Sequence, residues 1–230
     1  MKAMKVAVLF SGGKDSSICI SHALDKGWKI EALIAVKPRS NEAYLWHYPT
    51  VEWTILSSEA LGIPLIMLKT DKIGPEQEAK ELEKAFKRIN IDALLMGGVG
   101  LQKTQIREVK KVADRFGIKV IIPYENLTSE ELLKKEIESG LDFVITNVAT
   151  DGLGPDWLGR KIDLKAFEEL KALSKKYGFD ILGEGGYYDS LVLDAPFFKK
   201  KIEFLQTEKI WDNKTSSGYL EVKNASLIAK

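Results

Sequence analysis

The chain has 230 residues, 45% of them apolar and 29% charged, and its 34 Lys and Arg offset 33 Asp and Glu to a formal charge of +1. That balance excludes a disordered chain, which pairs low hydrophobicity with high net charge, and no run approaches the ~18 consecutive apolar residues of a membrane span. Divided after Glu125, the charges are 19 basic to 15 acidic and then 15 to 18, so bulk charge calls for no nucleic-acid partner.

The opening MKAMKVAVLF is too short an apolar run before Ser11 for a secretory signal and reads as a first strand, so a cytoplasmic location is expected. From there compact apolar runs alternate with longer amphipathic stretches. Residues 6–10, 30–36, 65–68, 93–96 and 120–122 are short, apolar and mostly β-branched, which predicts five strands buried on both faces. Residues 16–26, about 51–61, 76–89 and 102–116 repeat apolar positions three and four apart, as in Ile106, Val109, Val112, Ala113 and Phe116, the spacing of one helix face. Gly62 and Gly117 follow as stop signals. Strands alternating with helices predict a parallel, Rossmann-like α/β sheet with right-handed crossovers over residues 1–125.

After Pro123 the rhythm changes. A helix is predicted at 129–139, a strand at 142–148, a Gly-rich stretch at 151–159, and a helix from an N-cap at Asp163 to Tyr177, ended by Gly178. FDILGEGG, SLVLDAP and KIEFLQTEKIWDNKTSSGYLEV then read as strands broken by turns, suited to an antiparallel closing sheet. Residues 126–230 thus form a smaller α+β domain. The tail after Gly218 is available to its own sheet or to a second copy, which leaves a homo-oligomer open.

The most informative segment is Ser11-Gly12-Gly13-Lys14-Asp15-Ser16, between the first strand and the first helix. Two glycines let the backbone turn tightly and approach a ligand, and the amides beyond them leave a helix N-terminus, where unpaired N–H groups and the helix dipole favour an anion. Ser11, Ser16 and Ser17 add hydroxyls and Lys14 a cation. At the C-terminal end of a first strand, where α/β sheets bind ligands, this reads as a phosphate cradle. It has the spacing of neither the Walker loop nor the dinucleotide fingerprint. A plain strand-to-helix turn would explain the glycines but not the whole hexapeptide. Cys19, between Ile18 and Ile20, reads as a small buried hydrophobe, and a single cysteine makes no internal disulfide. His22 reads as packing, and Lys199 to Lys201 as a solvated face.

SGGKDS resembles the PP-loop of the N-type ATP pyrophosphatases, enzymes of HUP-type fold that cleave ATP between the α and β phosphates and pass through an adenylated intermediate. The resemblance implies that Ser11, Gly12, Gly13, Lys14, Asp15 and Ser16 hold the β and γ phosphates, that Lys14 and Asp15 are catalytic, and that Asp15 places Mg²⁺. The adenine is then expected near the ends of the second and fourth strands, around Ala35, Val36, Met96 and Gly97. Other segments narrow the family. GEGGYYDSLVLDAPFFKKKI at 183–202 is similar to the GEGGE(Y/F)ETLVLDxPLF block of diphthine–ammonia ligases, and AYLWHYPT at 43–50 to that family's SYMFHTPN. LGIPL at 61–65, LQKTQIREV at 101–109 and LGRKID at 158–163 fall in corresponding places.

In that family ATP activates the carboxylate of diphthine, a modified histidine of translation elongation factor 2, as an acyl-adenylate, and ammonia displaces AMP to give diphthamide. The resemblance therefore implies ATP, Mg²⁺, ammonium and the diphthine-bearing elongation factor as ligands, and no membrane partner. It also implies His47, Gln102, Gly185 and Gly186 on the acceptor side, with the loop at 151–154. Glu184 is the carboxylate expected to bind ammonium or serve as general base. A Glu between glycines also reads as a solvated turn residue, and His47, between Trp46 and Tyr48, equally as packing.

The chain departs from the family pattern at four places. Tyr187 stands where the family has Glu after GEGG, and Asp189-Ser190 replaces the Glu-Thr that follows. Leu101 replaces a Tyr, and Gln105 replaces an Arg, with loss of a permanent charge and a bidentate fork. These changes spare the loop and bear on the acceptor. Two alternatives stay open: another adenylating enzyme, such as one that modifies tRNA, although this chain lacks a cysteine pair; and a non-catalytic ATP or AMP sensor, which would bind nucleotide without releasing pyrophosphate.

Overall fold

The computed structural model describes residues 3–39, 45–46 and 50–230. Strands β1 (Lys5–Leu9), β2 (Lys29–Pro38), β3 (Leu65–Thr70), β4 (Ala93–Leu95) and β5 (Lys119–Ile121) form one sheet in the order β3-β2-β1-β4-β5, with every pair parallel. This is the Rossmann-like order. The sense of winding reverses between β1 and β4, and the crevice beyond their C-terminal ends is where such sheets bind ligands. All five predicted strands are present. Burial on both faces holds at the centre, where Val6, Ala7, Val8 and the three residues of β4 are fully buried. It fails at the edges, since β3 and β5, each with one neighbour, are largely half-buried.

Helices α1 (Lys14–Asp25), α2 (Thr54–Leu61, after a 3-10 turn at Thr50–Trp53), α3 (Pro75–Lys80), α4 (Glu83–Phe86) and α5 (Lys103–Asp114) supply the crossovers. Gly62 ends α2 in the left-handed region, as its position suggested. The single helix expected at 76–89 is instead the pair α3 and α4. Between them Leu82 donates to Ala79 O and Ala85 to Leu82 O, a tighter three-residue turn. At that pitch Ala79, Leu82 and Ala85 stack on one face, and all three are fully buried.

The second half holds α6 (Ser129–Glu138), β6 (Asp142–Ala149), α7 (Leu164–Tyr177), β7 (Tyr188–Asp194), β8 (Lys200–Asp212) and β9 (Ser217–Ala229). Thr128 and Glu131 close a capping box on α6, and Asp163 Oδ1 caps α7 by accepting from Ala166 N–H at 2.8 Å. The four strands make an antiparallel sheet in the order β7-β6-β9-β8, so the tail after Gly218 pairs within its own sheet.

FDILGEGG corrects a strand expectation. It is a run of turns in which Gly183, Gly185 and Gly186 take φ of 85°, 99° and 87°. Asp180 organises it, its Oδ1 accepting from Leu182 N–H at 3.0 Å and Glu184 N–H at 3.3 Å. One apolar core runs through both halves, joining Val6, Val8 and Ile18 to Leu132, Leu133, Phe143, Phe167 and Val192. That shared core, on the α1 side of the parallel sheet, brings β7 alongside the loop at 11–16.

Candidate active site

The loop after β1 is built from both halves. Gly12 sits at φ 82°, and a Cβ there would lie 2.9 Å from Leu191 Cδ1, so both conformation and space demand glycine. Gly13 is the N-cap of α1 and offers no side chain to its amides. Within the loop, Ser11 Oγ accepts from Gly13 N–H at 3.3 Å, and Ser16 Oγ accepts from Ser11 N–H at 3.3 Å while donating to Gly13 O at 3.0 Å. From the second sheet, Val192 N–H donates to Gly12 O at 2.9 Å, and Ser190 Oγ accepts from Lys14 N–H at 3.2 Å.

Lys14 runs inward and is only 2% exposed. Its Nζ donates to Asp15 Oδ2 and to Leu182 O, each at 2.7 Å, and stands 5.4 Å above the Tyr188 ring. Burial by itself would lower this ammonium, but Asp15, through its charge and its hydrogen bond, leads the groups that outweigh it and hold it well above its ordinary range, so it stays charged. Tyr188 in turn donates to Ile181 O at 2.7 Å. Lys14 therefore fixes the backbone two residues before Glu184.

The other oxygen of Asp15, Oδ1, is buried and meets no amide, hydroxyl or ammonium donor among the described residues, and its carboxyl lies within hydrogen-bond reach of Glu136. Beside it lies Glu136 of α6, fully buried, with neither oxygen meeting a donor. Burial first, then the Asp15 charge, pushes Glu136 well above the carboxylate range. The shift eases an otherwise crowded set of negative charges around one ammonium. Glu136 escaped the sequence reading, although a carboxylate three and four residues after Leu133 and Leu132, on the apolar stripe of α6, was a signal.

Glu184 is 8% exposed, which removes the solvated-turn reading. Its Oε1 accepts from Val99 N–H at 2.8 Å, and its Oε2 is buried without a partner among the described residues. Burial raises its carboxyl; the Val99 bond opposes this, and Asp15 and Asp180 add to it. The turn after β4 fits tightly against both acids. A Cβ on Gly97 would meet the Asp15 backbone at 2.4 Å, and one on Gly98 would meet Glu184 Oε1 at 2.3 Å.

These groups border one cavity of about 1000 Å³, mouth included, at the crevice beyond β1 and β4. It brings together Ser11, Gly13, Lys14, Asp15, Ser16, Val36, Met96, Gly97, Gln102, Glu184, Gly185 and Gly186. Ala35 is not in its wall, because successive side chains of a strand face opposite ways and Ile34 and Val36 take that side. Gly12 also stays out of the wall, tucked against Leu191. His47 lies outside the described residues. The loop at 151–154 does not reach the cavity, and its Leu153 belongs to the core.

The sequence reading missed an apolar end formed by Ile34, Leu45, Trp46 and Val51, and also Tyr188. Of the departures from the family pattern, Gln105, Asp189 and Ser190 line the cavity, and Ser190 does not spare the loop, since it takes the Lys14 N–H; Leu101 is exposed and Tyr187 packs on Phe179, ring centroids 6.2 Å apart. Gln105 Nε2 donates to Leu45 O at 2.5 Å and Glu78 Oε2 accepts from Leu45 N–H at 2.8 Å, so two helices hold that wall. Cys19 is fully buried, as expected, and His22 packs edge-on to Trp28 and Tyr124.

Residues 4–120 match the family model of the diphthamide synthase N-terminal domain, and residues 128–228 that of the diphthamide synthase C-terminal domain. The mouse protein named diphthine–ammonia ligase is 30% identical over 90% of this chain and 85% of its own length, and the human one is 31% identical over 86% and 82%. The fission-yeast (Schizosaccharomyces pombe) relative of the same name is 30% identical over 96% of this chain but only 39% of its own length. The chain belongs to the diphthine–ammonia ligase family.

Proposed function

We propose that this protein is an ATP-dependent amide ligase that converts diphthine on translation elongation factor 2 to diphthamide with ammonium, releasing AMP and pyrophosphate. The observation that carries the reading is the single cavity in which the loop at 11–16 faces Glu184, a buried carboxylate with one oxygen unspent. A carboxylate is a poor acyl donor to ammonia until one of its oxygens belongs to a good leaving group. The diphthine oxygen attacks the α phosphorus, the bond to pyrophosphate breaks, and an acyl-adenylate forms. Ammonia then attacks the acyl carbon, and AMP departs with the electron pair.

The loop amides and the hydroxyl of Ser11 receive the outer phosphates, a preorganised set of donors for charge that grows on the leaving group, while Ser16 holds the bend through Gly13 O. Asp15 Oδ1 meets no amide, hydroxyl or ammonium donor among the described residues, which suits a cation, and Mg²⁺ held there would neutralise part of the pyrophosphate charge. Lys14 serves by fixing Asp15 and the Leu182 carbonyl. Ile34, Val36, Met96 and Trp46 offer an apolar surface to the adenine. Glu184 binds ammonium and takes its proton, a task that favours a carboxylate raised toward neutrality.

We place the divide between an ATP-binding domain and an acceptor domain at 125/126, and the protein in the cytoplasm, whose reducing conditions suit a free buried thiol such as Cys19. The test incubates the protein with ATP, Mg²⁺, ammonium and diphthine-bearing elongation factor and weighs the factor by mass spectrometry. Conversion of acid to amide with stoichiometric AMP is the expected result. Release of ADP, or an unchanged mass, refutes the reading.

A further inference from the structure

We propose that the hydroxyl of Ser190, carried by β7 of the second sheet, is a direct ligand to the outer phosphates of the nucleotide. The proposal rests on the loop at 11–16 being the ATP site and adds a residue from the other half of the chain to it. Ser190 is 8% exposed and lines the cavity. A serine hydroxyl has two lone pairs and one proton. One lone pair takes the Lys14 N–H at 3.2 Å, and the proton has no acceptor among the described residues.

An unspent donor thus sits beside the first turn of a 12-residue helix whose N-cap, Gly13, brings no side chain of its own. Its position is constrained. Val192 N–H holds Gly12 O at 2.9 Å, and the Ser190 carbonyl lies 3.2 Å, and its Oγ 3.4 Å, from where a Cβ of Gly13 would stand. The strand cannot withdraw from the loop without breaking the Val192 bond, and the Lys14 N–H favours the Ser190 rotamer that faces the loop. An anion that settles on the loop amides therefore meets a donor from the second sheet as well, and the site for the outer phosphates is incomplete without β7. The family's Thr at this position keeps the same hydroxyl, which supplies a conservative variant.

The test measures binding of α,β-methylene-ATP, inorganic pyrophosphate and AMP by calorimetry to the wild type, Ser190→Ala and Ser190→Thr, with thermal melting as a check on folding. Ser190→Ala should weaken the ATP analogue and pyrophosphate by about 10- to 100-fold, the worth of a hydrogen bond to a charged group, and leave AMP, which lacks those phosphates, unchanged. Ser190→Thr should restore both. Equal weakening of AMP, a threonine variant as weak as the alanine one, or wild-type pyrophosphate affinity in Ser190→Ala overturns the proposal. If the wild type binds neither the ATP analogue nor pyrophosphate, the ATP reading falls and this contact with it. Binding that is equal in wild type and Ser190→Ala removes this contact alone.

Discussion

The loop at 11–16 and the turns at 180–186 face each other across the cavity, and both bend through glycines at positive φ, yet they are held by different means. The loop takes its course first from its neighbours in sequence, where β1 ends, Gly12 turns, Gly13 starts α1 and two serines tie the bend together, and β7 then braces it through Val192 and Ser190. The facing turns are set by Asp180 locally and then by contacts from far away, Lys14 Nζ on Leu182 O and Val99 N–H on Glu184 Oε1. A site can thus have one wall written as a motif and the other assembled only by the tertiary fold.

That contrast can be broken or sharpened by substitution. The largest effect should come from Asp15→Asn, which keeps the shape and the contact to Lys14 but removes the charge: pyrophosphate release should fall about 1000-fold, as a coupled pyrophosphate assay would read, with circular dichroism unchanged. Activity near wild type would remove Asp15 from the chemistry. Glu184→Gln, on the opposite wall, should slow the ammonium-dependent amide step about 100-fold and disturb single-turnover pyrophosphate release far less. Equal loss in both steps would mean that Glu184 serves the nucleotide instead.

Gly97→Ala forces a Cβ to within 2.4 Å of the Asp15 backbone and should cost about 2 kcal/mol of stability, read from urea denaturation. An unchanged midpoint would show that the β4 turn yields freely.

The smallest effect is a pH trend. Glu136 is raised in the folded protein, so the native state keeps a proton that the unfolded chain gives up above its ordinary carboxylate pKa. Wild-type stability from this group is then full in acid and declines as pH rises from about 4.5 toward the folded value. Glu136→Gln does not titrate, so its melting temperature should gain on wild type as pH goes from 5 to 8, by an amount small beside the other effects. A gain that shrinks with pH would mean that Glu136 is ionised in the fold.

The elements that sequence reveals are those whose cause is local. Five apolar runs gave five strands, and the spacing from Ile106 to Ala113 gave α5. The split of α3 from α4 was hidden because helical spacing and three-residue spacing agree over so short a stretch as Ala79 to Ala85. The strand expected at 179–186 failed because its turn depends on what Asp180 accepts and on three glycines together, whereas the apolar pair Ile181-Leu182 alone looks extended. In the site, the hexapeptide and Glu184 were legible by type. The inward course of Lys14, the buried company of Glu136 and the reach of Ser190 to the loop were not, since each joins elements that only the shared core brings together.

The two bonds that Lys14 and its amide make to Leu182 and Ser190 span 168 and 176 residues of sequence. During synthesis the ribosome delivers the N-terminal half long before either partner exists. A nascent chain halted ahead of β7 lacks Ser190 and Val192, so its glycine bend is left without the bonds that tie it to the second sheet.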